Sequence, residues 1–212
     1  MTAEAPVGNS RPIKLAHIVV RTTPGRWETM IEFYRQLLGA RVVHKAPIVA
    51  FLTYDDEHHR VAVTKIPMML PKLKMFRGVD HVAFTFAGLS ELLDTYRRMK
   101  AYGIKPVWSV HHGGTISIYY EDLDHNLVET QVDVFDSIEA TNAYIESEDF
   151  VENPIGVDFD PDDWLARLAD GEPEERVSER PRLGPRHPST IPRAFQGWLH
   201  WTLGRLARAA GG

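Results

Sequence analysis

The feature that most constrains this 212-residue chain is an internal repeat. KLAHIVVR, at 14–21, reads as a strand, and Pro24-Gly25 turns the chain into a helix. Along that helix Trp27, Met30, Ile31, Tyr34 and Leu38 recur at helical spacing, and Gly39 is a natural stop. RVVHK, IVAFLTYD and HRVAVTKI follow as three strands. The same order then returns. VDHVAFTF is a strand, Leu89, Leu92, Leu93, Tyr96 and Met99 form a helical stripe ending at Gly103, and KPVWSV, TISIYYE and NLVETQV are three more strands. His17 and His81 occupy equivalent positions 64 residues apart, and YDDEHHRVAV lies over YEDLDHNLVE. A repeat fixes architecture before any motif does, because each copy is one supersecondary unit. The expectation is an α+β fold of two tandem βαβββ modules, 13–67 and 78–135, joined by a linker over 68–78.

Composition enters by what it excludes. At 43 % hydrophobic residues the chain can bury a good core. A net charge of −5 argues against general nucleic-acid affinity. With no cysteine there are neither disulfides nor thiolate metal sites. No apolar run approaches the roughly 20 residues of a membrane span, and the first dozen residues are polar and small, without an apolar signal core. The expected protein is cytoplasmic, with no membrane insertion.

The repeat makes the polar exceptions legible. In VDHVAFTF the bulky Val82, Phe84 and Phe86 suit packing under the helix, so His81, Ala83 and Thr85 face the other way. The same rule puts Ser117 and Tyr119 on the polar face of the later hairpin, with Ile116 and Ile118 beneath the helix. Glu129, in mid-strand, then shares that face with His17 and His81. A carboxylate there is costly without a positive partner. One strand histidine is most often a hydrogen-bonded core residue. Two at equivalent positions with a carboxylate point to a 2-His-1-carboxylate iron site. Aligning Tyr54 with Tyr120 sets Val63 opposite Glu129.

The paired copies, the HIVV and HVAF strand openings and the ending YYEDLDHNLVETQVD resemble the vicinal oxygen chelate superfamily, and within it the type I extradiol ring-cleavage dioxygenases in a short form. The resemblance covers roughly 13–135, and NPIGVDFDPDDWLARL at 153–168 is similar to the tail of small enzymes of this kind. It implies a half-open, barrel-like sheet around a metal held by His17, His81 and Glu129. The metal is expected to be Fe(II), with Mn(II) as the alternative. The resemblance further implies His59 as the active-site histidine near dioxygen, Tyr119 as hydrogen-bond partner of the bound diol, and His112, of the pair His111–His112, as a further site residue. The implied partners are a small aromatic diol and dioxygen, in a homo-oligomer. Isomerases of the superfamily use a fourth protein ligand near the position of Val63, and its absence leaves room for a two-point substrate and a gas. The alternatives are a metal-dependent glyoxalase or thiol-transferase-type enzyme of antibiotic resistance, or a metal-free small-molecule binding protein.

Beyond the repeat, 1–12 reads as a flexible N-terminus and 136–171 as a segment packing on the core, with a helix start at Asp160-Pro161. Residues 172–212 read as a proline- and charge-rich linker followed by an amphipathic helix carrying Phe195, Trp198, Leu199, Leu203 and Leu206.

Overall fold

The computed structural model describes residues 11–70, 72 and 78–195. Most of the N-terminus, most of the linker and the expected terminal helix beyond Phe195 lie outside the described residues. The chain divides into two compact units, Met1–Met68 and Met69–Gly212. Each is an open, twisted sheet with a helix on one face.

The first unit contains β1 (Ile18–Thr22), a 3-10 turn (Pro24–Arg26), α1 (Trp27–Leu38), β2 (Arg41–Lys45), β3 (Val49–Thr53) and β4 (Val61–Lys65). The strand order is β1-β4-β3-β2, with β1 parallel to β4 and the other pairs antiparallel. The helix ends where Gly39 takes φ 60° and its N–H reaches the Arg35 carbonyl, a conformation that needs no Cβ. Met30, Ile31, Tyr34 and Leu37 of α1 are buried, as are Val20, Ala50, Leu52, Val61 and Val63 of the sheet. Each of the Val, Leu, Ile and Met side chains among them contributes about 1.5–3 kcal/mol of burial free energy. Trp27 closes one end. Its Nε1–H donates to the Val63 carbonyl at 3.1 Å, and the Lys65 ammonium lies 3.9 Å from its ring centroid.

The second unit repeats the plan and extends it. β5 (His81–Thr85), α2 (Leu89–Ala101), β6 (Trp108–His111), β7 (Thr115–Glu121) and β8 (Leu127–Asp133) are followed by α3 (Ile138–Ile145), α4 (Glu148–Glu152), β9 (Val157–Asp158), α5 (Pro161–Ala169) and α6 (Glu174–Val177). The order β5-β8-β7-β6 matches the first sheet, and β9 adds an edge strand beside β6. Between β7 and β8 the carboxylate of Asp122 accepts from the backbone N–H groups of Asp124 and Asn126 at 2.9 and 2.8 Å, which sets a tight turn. Gly156, at φ 105°, lets the chain run so close to β6 that a Cβ would stand 2.5 Å from the His111 carbonyl oxygen.

The stretch read from composition as a linker is docked on this unit over its described part. Val177 is buried, Arg180 donates to Asp149 at 2.6 Å and to the Asn153 carbonyl at 3.0 Å, and Arg186 forks onto Asp158 at 2.6 and 2.8 Å. Composition alone could not reveal these arginines as anchors, because their acceptors lie 27 to 31 residues away. Among the described residues no helix is long and apolar enough to cross a membrane.

Candidate active site

The polar face of the second sheet is built by register. Across β5, β8, β7 and β6 one row runs Ala83, Glu129, Tyr119, Trp108. Glu129 is buried, only 4 % exposed, and meets His81 with Oε2 3.0 Å from Nε2. The other ring nitrogen of His81 lies 2.8 Å from Asp80. Ser117, two residues before Tyr119, and Tyr119 itself also hydrogen-bond to Glu129.

These contacts set the charges. Burial opposes ionisation of Glu129, but hydrogen bonds from His81, Ser117 and Tyr119 outweigh it and hold the carboxyl below its ordinary range. His81 is pushed up to about 9, chiefly by its hydrogen bond to Glu129, against burial and with help from Asp80. Burial and the neighbouring Glu129 charge raise the Tyr119 phenol, so it stays protonated. The arrangement is a buried anion facing a basic imidazole, with one shared proton between them.

His112 completes the network. Its Nδ1 lies 2.7 Å from the Ile155 carbonyl, which can only accept, so that nitrogen carries the hydrogen. Burial lowers the imidazole's proton affinity, which leaves Nε2 free to accept from the Tyr119 hydroxyl at 3.1 Å. The single phenolic proton of Tyr119 therefore faces two acceptors, Glu129 and His112.

The first unit gathers the other two candidates. His17 stands one residue before β1, and its ring centroid is 4.3 Å from that of His59. His59 also lies 4.5 Å from Phe51. The proton affinity of His59 is lowered by burial and then by the neighbouring His17 and His58.

Two expectations need correction. His59 was expected to open the strand carrying Val61 and Val63, yet β4 begins at Val61. The Arg60 N–H reaches the Leu52 carbonyl at 2.8 Å and its side chain holds Asp55, so the preceding loop swings His59 onto the face of His17 and Phe51. Nor is Val63 the counterpart of Glu129. Val19 pairs with Ala62, as Ala83 pairs with Glu129, and Phe51 pairs with Ala62, as Tyr119 pairs with Glu129. The missing carboxylate position is Ala62. Val63 is buried with the residues of the helix-facing core.

Of the residues singled out from the sequence, His81, Glu129, Tyr119 and His112 thus share one network in the second unit, and His17 and His59 are neighbours in the first. Among the described residues, no three His, Asp or Glu side chains form a ready-made metal cluster. The sequence placed Ser117 on the polar face without revealing its bond to Glu129, and did not single out Asp80, Trp108 or Phe195 as site residues. Asp80 had a signal, since it directly precedes His81. Phe195, expected on a terminal helix, ends a 3-10 turn (Arg193–Phe195) and lies against Tyr119, a contact across 76 residues that local pattern cannot reveal.

A fold of paired βαβββ units with this polar face is matched by the Glyoxalase/Bleomycin resistance protein/Dioxygenase superfamily over residues 14–130, and the chain belongs to that superfamily. Within it, the chain is 40 % identical over 166 residues to biphenyl-2,3-diol 1,2-dioxygenase 2 of Rhodococcus globerulus, covering 78 % of this chain and 86 % of that protein. It is 37 % identical over 169 residues to biphenyl-2,3-diol 1,2-dioxygenase 3 of the same organism, covering 79 % and 88 %. Among solved structures, a glyoxalase/dioxygenase from Nostoc punctiforme shares the fold, with TM-score 0.52 and 16 % identity over 63 % of this chain and all of that one.

Proposed function

We propose that the chain is an extradiol dioxygenase that opens the aromatic ring of a catechol-type diol with dioxygen, using Fe(II) held by His17, His81 and Glu129. The observation that carries this reading is the hydrogen-bonded set His81, Glu129, Tyr119 and His112 on one sheet face. Its nitrogen and carboxylate donors fit a ferrous ion, because a cation can take the place of the proton that His81 and Glu129 share. The third ligand, His17, rests on the family resemblance. The two relatives named as biphenyl-2,3-diol dioxygenases support the same chemistry.

Fe(II), when bound, supplies the one-electron chemistry that couples a spin-paired diol to dioxygen. The protein's own residues do the rest. Tyr119, protonated and fixed by its neighbours, donates to a diol oxygen and orients the ring. His112, neutral at Nε2, can receive the phenolic proton and return it. His59, whose lowered proton affinity keeps it neutral near pH 7, serves as the acid–base group on the dioxygen side of the site. The net reaction breaks the carbon–carbon bond beside the diol and places both atoms of dioxygen in the product, a hydroxylated muconic semialdehyde. Ala62, where Glu129's counterpart would stand, offers no competing ligand.

The test is anaerobic purification with metal analysis, followed by a panel of catechols watched for a yellow ring-opened product. Iron with yellow product supports the reading. Zinc without oxygen uptake overturns it.

A further inference from the structure

The strap that follows α6 brings one more aromatic ring to the polar face. The Phe195 ring centroid lies 4.8 Å from Tyr119, 5.1 Å from Trp108 and 6.5 Å from His81. All three contacts are tilted or edge-on, at 81°, 59° and 69°, so no parallel stack seals the rings together. Trp108 itself stacks on Tyr119, at 5.5 Å and 24°. Phe195 and Trp108 are only half-buried, so part of each residue stays accessible.

Phe195 is held there by a built anchor. Arg186 forks onto Asp158, donates to the Gly156 carbonyl at 3.2 Å and to the Thr190 hydroxyl at 2.9 Å, and sets its guanidinium 5.6 Å from the Trp108 ring. Asp158 in turn accepts the Trp108 indole N–H at 2.7 Å. Pro188 and Pro192 stiffen the short span between this anchor and Phe195, and the Phe195 N–H bonds to the Pro192 carbonyl at 3.0 Å. The strap and the wall it completes are therefore tied to the same two side chains.

We propose that Phe195 is a specificity-determining residue, which with Trp108 and Tyr119 forms a three-sided aromatic seat for a neutral aryl substituent on the diol. The inference rests on the dioxygenase reading and goes beyond it. Flat apolar walls favour a second ring, and the guanidinium set against the Trp108 ring, that of Arg186, is already paired with Asp158, so a charged substituent gains nothing from it.

The experiment is anaerobic equilibrium titration of the iron-loaded full chain with biphenyl-2,3-diol and with catechol, alongside kcat/KM for both. The wild-type protein should bind the aryl diol more tightly. Phe195→Ala should weaken aryl-diol binding by about 10-fold and catechol by a smaller factor, while Phe195→Tyr keeps the preference. Arg186→Ala, which frees the strap, should move the preference in the same direction as Phe195→Ala. An equal loss for both diols in Phe195→Ala overturns the seat, as does tighter aryl-diol binding, which would make Phe195 a plug. A wild-type protein with the binding preference but no ring cleavage overturns the dioxygenase reading alone. One that cleaves both diols without preferring either overturns the seat alone.

Discussion

Phe51 and Tyr119 stand at the same register position in the two copies, and so do Ala62 and Glu129. The copies share strand order, crossover helix and parallel pairing, and each begins its polar face with a histidine. On this face they differ by one carboxylate and two hydroxyls, those of Glu129, Tyr119 and Ser117. Ser117, which supports Glu129, sits two residues before Tyr119, and Val49 holds the matching place before Phe51. Fold and chemistry are therefore separable here. The first copy builds the same sheet with apolar residues where the second places a hydrogen-bonded anion. A second contrast lies at the sheet edge. All of β2 is exposed, whereas β6 is covered by β9 and the docked tail, which buries His111 to 4 % exposure.

Because the first copy already carries Ala62 and Phe51, two substitutions give the second copy the first copy's residues at these register positions. Glu129→Ala has the larger expected effect: loss of bound iron and a fall in ring cleavage of more than about 10³-fold, with the circular dichroism spectrum kept. Full iron occupancy and turnover in this variant would remove Glu129 from the ligand set. Tyr119→Phe should retain iron but lower kcat by about 10²-fold, the scale of one lost donor to a developing oxyanion. If only KM rises, Tyr119 binds the diol without assisting its reaction.

The edge contrast predicts a smaller effect on acid stability. The Nδ1 of His111 accepts from the Gly113 N–H at 3.0 Å, and its other nitrogen donates to the Ser178 backbone. Burial, with the nearby Arg180 charge, pushes its proton affinity down to about 4. The unfolded chain, with a histidine near 6.5, then binds more protons than the folded one between these values, so stability falls as pH drops through that window. From this group alone the loss between about pH 7 and pH 5 is on the order of 2 kcal/mol. Denaturant titrations across that range should show the slope, and His111→Gln should flatten it. An unchanged slope would mean that other groups govern the acid limb.

Much of this was legible in the sequence because it is periodic. The stripe of Leu92, Leu93, Tyr96 and Met99 marked α2, and the alternation of TISIYYE marked β7 over its full span. The repeat singled out His17 and His81. What was missed depends on distance or on loop length. Tyr54 was set opposite Tyr120, whose register counterpart is Leu52, and the connection between β3 and β4, one residue longer than that between β7 and β8, cut this two-residue slip to the single residue that put Val63 in the place of Ala62. β9 is two residues long and too short to carry a pattern. Asp158 reads as an ordinary turn acid until Arg186 and Trp108 are seen on it.

The central claim is that this polar face supports cleavage of a diol by dioxygen. Turnover of biphenyl-2,3-diol by the iron-loaded protein under isotopically heavy dioxygen tests it most directly. The account predicts one molecule of dioxygen consumed per diol, with both heavy atoms in the ring-opened product. Consumption of the diol with no heavy oxygen in the product, or oxygen uptake with the ring left intact, would contradict it.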